Sequence, residues 1–155
     1  MLVSTAIKRI KDAGHDISDE YTNERCIEFL NTALQQTSSL LIAAKYPALV
    51  KEMLVRNGGS LPTNYIQCCG TYPLRMTDGV AQIIDDDLEY VKFRYWATPA
   101  LITETDEELP YKHDAINEVI VRAAVILALN ENEYDVSADN AIVSALQQAI
   151  ASAMA

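Results

Sequence analysis

The stretch that decides the fold runs from Tyr90 to Asp114, YVKFRYWATPALITETDEELPYKHD. It begins with alternating aromatic and charged residues, a pattern typical of a β-strand. The strand pattern ends at Pro99, an acidic segment follows, and Pro110 then precedes a long apolar segment. The stretch therefore predicts a strand, a connector and the start of a central helix.

Neither face of the predicted strand, residues 88–97, is purely polar, so we expect both faces to contact protein. One face holds Leu88, Tyr90, Lys92, Arg94 and Trp96, and the other holds Glu89, Val91, Phe93, Tyr95 and Ala97. Lys92, Arg94, Tyr95 and Trp96 form a basic and aromatic cluster of the kind that stacks nucleobases or anchors a protein interface. The formal net charge of −10 favours the interface.

The connector is followed by the most apolar part of the chain. Asp114 is expected to cap a helix from Ala115 to about Asn130, within a central segment of residues 110–134. The run from Val119 to Leu129 is apolar nearly all round, which places this helix at the centre of the fold. It is too short to span a bilayer.

Two helices are predicted in residues 1–46. The first covers Leu2 to Ala13 and is expected to be closed by Gly14 in the left-handed conformation. A polar loop follows at residues 14–21. Thr22 is expected to cap the second, longer helix, which should continue to Tyr46, since the proline that follows disfavours helical backbone there.

In residues 47–100 the apolar residues recur at a shorter spacing than in a helix, which predicts a β-containing insertion. Residues 49–55 are compatible with helix or strand, whereas 64–72 have the composition of a strand. We expect residues 80–84 to form a hairpin with 88–97, because turn signals precede both segments.

The last segment, residues 136–155, predicts a C-terminal docking helix from about Ser137. Its narrow apolar stripe comprises Ile142, Leu146, Ile150 and Met154, with alanines beside it. Small neighbours allow close approach to another surface, which is either the chain's own domain or a neighbouring subunit.

No residue pattern in the chain predicts a catalytic, cofactor or metal site. His113 adjoins Asp114 at a predicted helix start, but the sequence places no nucleophile beside it, and the second histidine is His15. Asp85, Asp86 and Asp87 lack the spacing of a cation-binding loop and predict a solvated turn. The three cysteines form no even framework and indicate reduced thiols.

Four segments together resemble the head-to-tail adaptor (connector) proteins of tailed bacteriophages. They are YTNERCIEFLNTALQQ from Tyr21, LPTNYIQC at 61–68, VKFRYWATPALIT from Val91, and ELPYKHDAINEVIVRAAVILAL at 108–129. The resemblance covers the chain from about Tyr21 to Asn130. Each motif is short, and their order carries the resemblance.

The resemblance implies a mainly α fold, a helical bundle with a small β-hairpin or sheet insertion between the second long helix and the central helix. The whole chain, residues 1–155, is then a single domain. It implies no enzymatic activity and no cofactor.

The resemblance also implies a structural virion protein of the neck, assembled in the host cytoplasm and not associated with a membrane. Its copies form a ring, typically a dodecamer, which docks on the portal protein and extends the DNA channel. Double-stranded DNA passes through the lumen without specific binding, and a stopper or tail-completion protein attaches below. Expected interface residues are Ile142, Leu146, Ile150, Met154, Arg94, Trp96, Glu104, Asp106, Glu107 and Glu108.

Two other functions are compatible with the sequence: a small acidic regulatory or binding domain of the host, and a small enzyme that uses His113. Concentration-dependent ring formation or portal binding distinguishes the adaptor from both.

Overall fold

The computed structural model describes residues 1–14, 21–131 and 133–154. These residues form α1 (Val3–Ala13), α2 (Asn23–Ala43), β1 (Val50–Arg56), β2 (Gly59–Ser60), β3 (Tyr65–Cys68), β4 (Leu74–Thr77), β5 (Val80–Ile83), β6 (Tyr90–Ala97), α3 (Asp114–Leu129) and α4 (Asn140–Ala153). Short 3-10 helices precede β1 and α4. His15 and most of the predicted polar loop at 14–21 lie outside the described residues.

The chain divides into two compact units. The helical unit comprises Met1–Tyr46 and Pro99–Ala155, and the β unit comprises Pro47–Thr98. The prediction of one domain over residues 1–155 stays a prediction.

The prediction of a mainly α helical bundle is wrong. The structure is 46% helix and 21% strand, with two three-stranded antiparallel sheets, which makes it an α+β fold. The sequence signal underestimated the strands because β1, VKEMLVR, carries residues that favour helices. Its pairing with β6 overrides that local preference, as sheet contacts commonly do.

In the helical unit, α3 contacts the other three helices. Its fully buried residues include Ile116, Ile120 and Leu127, so the expected central position of this helix is confirmed within the unit. Asp114 is the first residue of α3 and not its cap. His113 occupies the cap position and makes no side-chain capping bond.

The two N-terminal helices form where the sequence predicts them, with corrected ends. Thr22 caps α2 as expected, since its hydroxyl accepts a hydrogen bond from the Arg25 N–H at 3.2 Å. The helix ends at Ala43, before Tyr46, because Lys45 adopts a left-handed φ of 59°. The Tyr46 N–H then bonds the Leu41 carbonyl in a Schellman closure.

Gly14 closes α1 with φ −80°, so the expected left-handed conformation is wrong. A Cβ atom at this position would lie 2.2 Å from Cε2 of Tyr21. A larger residue here would therefore displace the Tyr21 ring.

The β unit contains two sheets with the strand orders β1-β6-β3 and β2-β5-β4. Both contribute to one apolar cluster, made of Val55, Ala81, Val91, Phe93, Tyr95 and Ala97. The Phe93 ring lies 5.9 Å from that of Tyr72 and 5.7 Å from that of Tyr95, measured between centroids. This cluster is the core of the unit.

The predicted hairpin between residues 80–84 and 88–97 is wrong. β5 pairs with β4 and β2, whereas β6 pairs with β1 and β3. Asp78 and Gly79 both have positive φ, as a tight type I′ hairpin requires, and they join β4 to β5. The Asp85–Leu88 turn instead takes the chain from one sheet to the other.

Candidate functional site

The outer face of β1 and β6 carries exposed apolar and basic side chains. Leu54 is 60% exposed and Tyr90 is 40% exposed. Leu54 lies opposite Lys92, and Tyr90 is the next residue on the same face of β6, so Leu54 and Tyr90 are diagonal neighbours. Lys92 and Arg94 are also exposed. We refer to Leu54, Tyr90, Lys92 and Arg94 as the β6 face.

A cation–π contact and an ion pair position two side chains of the β6 face. The Arg56 guanidinium lies 4.8 Å from the centroid of the Tyr90 ring and also bonds the Tyr90 hydroxyl. Lys92 Nζ lies 3.2 Å from Glu52 Oε1. The cations of Arg56 and Lys92 therefore have local partners.

Arg94 has a fixed backbone and an exposed side chain. Its N–H donates to the Tyr72 hydroxyl at 3.1 Å, and its carbonyl accepts from the Cys69 N–H at 2.8 Å. The ion pairs found among the described residues do not include Arg94. The backbone of Arg94 is therefore fixed, and its guanidinium charge is available to a partner.

Tyr90, Lys92 and Arg94 are exposed in this chain, so the expectation that their face of the strand contacts protein stays a prediction. Tyr95 and Trp96 are 7% and 8% exposed. Tyr95 belongs to the core cluster because it lies on the opposite face from Arg94. The predicted basic and aromatic cluster is thus divided between the surface and the interior.

The acidic segment Thr103–Glu108, here called the acidic loop, is held by the N-terminus. The Val3 N–H donates to the Glu107 carbonyl at 2.9 Å, and the Ser4 N–H donates to the Thr105 carbonyl at 3.1 Å. The first N–H groups of a helix have no partner within the helix, so these bonds satisfy them. The loop is consequently ordered by backbone contacts.

One carboxylate of the acidic loop is used internally. Glu107 Oε1 accepts hydrogen bonds from the Thr103 hydroxyl and from the N–H groups of Thr103 and Glu104. The bond from the Thr103 hydroxyl is the main cause that lowers the pKa of Glu107 below its ordinary value. Glu104, Asp106 and Glu108 are exposed, and none has an ion pair within the described residues.

The predicted apolar stripe of α4 packs mainly within the helical unit. Ile142, Leu146 and Ile150 are buried, whereas Met154 is 54% exposed. A groove of about 210 Å³ lies between α2 and α4, lined by Leu40, Ala43, Ala44, Val143, Leu146, Gln147 and Ile150. Only the end of the stripe is therefore presented to solvent.

Among the described residues, no hydrogen-bonded partner orients the His113 imidazole as a base. Its Nδ1 atom is buried and has no partner within the described residues. The Asp114 carboxylate lies 3.4 Å from the N-terminal amine of Met1. General-base catalysis depends on an oriented imidazole, so this geometry favours a structural role.

The remaining polar candidates also have local structural roles. Asp85 accepts a hydrogen bond from the Asp87 N–H at 2.9 Å, which closes the turn. Within residues 1–14, 21–131 and 133–154, no group of three His, Cys, Asp or Glu residues is arranged to hold a metal ion. Among the described helices, none combines the length and the apolar character that a membrane span requires.

Neither the models of known protein families nor the curated proteins match this sequence. The resemblance to phage adaptors accordingly stays a prediction.

Proposed function

We propose that this chain is a structural virion protein of a tailed phage, a head-to-tail adaptor. Its copies form a ring that docks on the portal protein and offers a surface to a stopper or tail-completion protein. The ring belongs to the neck of the virion and assembles in the host cytoplasm.

The observation that carries the proposal is the β6 face. It combines exposed Leu54 and Tyr90 with Lys92 and Arg94 on a rigid sheet. Aromatic and arginine side chains on a preorganised surface are typical of the sites that dominate binding between proteins. The order of the adaptor-like motifs along the chain supports the same function.

The charge of the chain also favours this function. Each copy carries a formal net charge of −10, which a ring multiplies by its number of subunits. A negatively charged lumen repels the phosphate backbone, so double-stranded DNA can pass without being held.

Binding to a portal protein tests the proposal. Portal and capsid genes are expected beside the gene for this chain. When the portal protein from that gene cluster is tagged and purified, it should retain the chain. His113→Ala should bind equally well, because an adaptor needs no catalytic histidine. A chain that no portal retains, or whose gene lies far from any portal gene, contradicts the proposal.

A further inference from the structure

Acidic and basic residues are distributed unequally between the two units. The β unit carries five of the 12 basic residues and six of the 22 acidic ones, so it is close to neutral. The helical unit carries the other seven basic and 16 acidic residues. The excess of acidic residues thus lies in the helical unit, where exposed carboxylates can pair with basic groups on the β unit of another copy.

The β6 face is the basic side of such a contact. Lys92 and Arg94 extend from adjacent positions on one side of β6, and Leu54 lies between them and the open edge of β1. The sheet order places β1 at an edge, and residues 50–56 pair with no described strand on their other side. A partner can therefore approach this face without displacing a neighbouring strand.

The acidic loop is the matching acidic side of the contact. Glu104, Asp106 and Glu108 expose carboxylates, and Leu101, three residues before Glu104, is 52% exposed. Because the N-terminus already orders this loop, docking requires little further loss of conformational entropy.

We propose that the acidic loop of one copy docks on the β6 face of a second copy. Glu104 and Asp106 face Lys92 and Arg94, and Leu101 covers Leu54. This inference rests on the proposed function, since it supplies the contact between subunits of the ring.

The contact joins two different surfaces, and in a head-to-tail arrangement it is heterologous. Every copy then retains one free loop and one free face, and repeated docking produces a closed ring or an open filament. The contact thus gives the proposed ring a physical basis.

Exchange of charges tests the contact. One variant carries Lys92→Glu and Arg94→Glu, and the other carries Glu104→Lys and Asp106→Lys. Each variant alone brings like charges together and should associate at least about tenfold more weakly than the wild type. Sedimentation velocity over a concentration series measures this, with circular dichroism to verify folding.

Mixing the two variants should restore association, because each loop then meets a face of opposite charge. A chain that carries all four substitutions should associate for the same reason. Two control variants reverse exposed charges outside both surfaces: Lys8→Glu with Arg75→Glu, and Asp12→Lys with Glu133→Lys. Both should associate as the wild type does.

The results separate this contact from the proposed function. Wild-type-like association of either charge-reversed variant, or a mixture that stays monomeric, overturns the contact and leaves the adaptor function standing. A wild-type chain that does not associate at any concentration overturns the contact, and the portal experiment then decides the function.

Discussion

Asn31 on α2 and Ile102 in the connector exchange two hydrogen bonds. The Asn31 side-chain nitrogen donates to the Ile102 carbonyl oxygen at 2.9 Å, and the Ile102 N–H donates to the Asn31 side-chain oxygen at 2.8 Å. The amide thus pairs with the backbone as a neighbouring strand would. It attaches the connector to α2 immediately before the acidic loop.

Removal of this amide should lower the free energy of unfolding. Asn31→Ala leaves both backbone groups of the buried Ile102 without these partners, which should cost about 1–3 kcal/mol. Asn130 is the control, since its exposed amide bonds the Ile126 carbonyl at 2.8 Å and Asn130→Ala should cost less. Urea unfolding measures both, and equal costs would contradict the role of Asn31.

The two faces of β6 should respond differently to truncation. Phe93 is 1% exposed and contacts two other rings, so Phe93→Ala should lower the free energy of unfolding by about 3–5 kcal/mol. Tyr90→Ala, on the exposed face, should cost about 1 kcal/mol or less. Comparable costs in thermal unfolding would show that the faces are assigned incorrectly.

The acidic loop should lose stability in acid. The pKa of Glu107 is lowered in the folded chain, mainly by the hydrogen bond from the Thr103 hydroxyl. A lowered folded pKa stabilises the loop above the ordinary value of 4.5, and this stabilisation is lost as pH falls through the folded pKa.

NMR titration of the Glu107 carboxyl group measures this effect. Thr103→Val should raise the pKa of Glu107 towards its ordinary value, whereas Thr105→Val should leave it unchanged. An equal effect of the two substitutions would show that another group lowers the pKa.

Local sequence signals predicted the helices better than the sheets. The face of α1 formed by Val3, Ala6, Ile7 and Ile10 is buried as its spacing predicts. The apolar residues of a helix recur every three or four positions, so a short segment contains the whole signal. Gly14 shows the limit, since the ring that approaches it belongs to Tyr21, which lies outside the repeating pattern of α1.

The sheet partners depend on contacts that a local pattern does not contain. The Asp85–Leu88 segment predicts that the chain turns but not which strand it meets next. β6 therefore pairs with β1, more than 30 residues earlier, rather than with β5. Long-range pairing of this kind has no signature in a short window of sequence.

The candidate site was predictable in part. Alternation along β6 placed Tyr90, Lys92 and Arg94 on one face, and composition predicted the exposed acids at Glu104, Asp106 and Glu108. Leu54 was missed because residues 49–55 fit helix and strand equally well. The same alternation placed Trp96 on the exposed face, although it is 8% exposed.

The assembly state of the purified chain tests the central claim most directly. Native mass spectrometry and negative-stain electron microscopy are applied to the wild-type chain, alone and with the portal protein encoded beside it. The account predicts a closed ring, a dodecamer by resemblance, with a central channel. A chain that stays strictly monomeric under both conditions would contradict it.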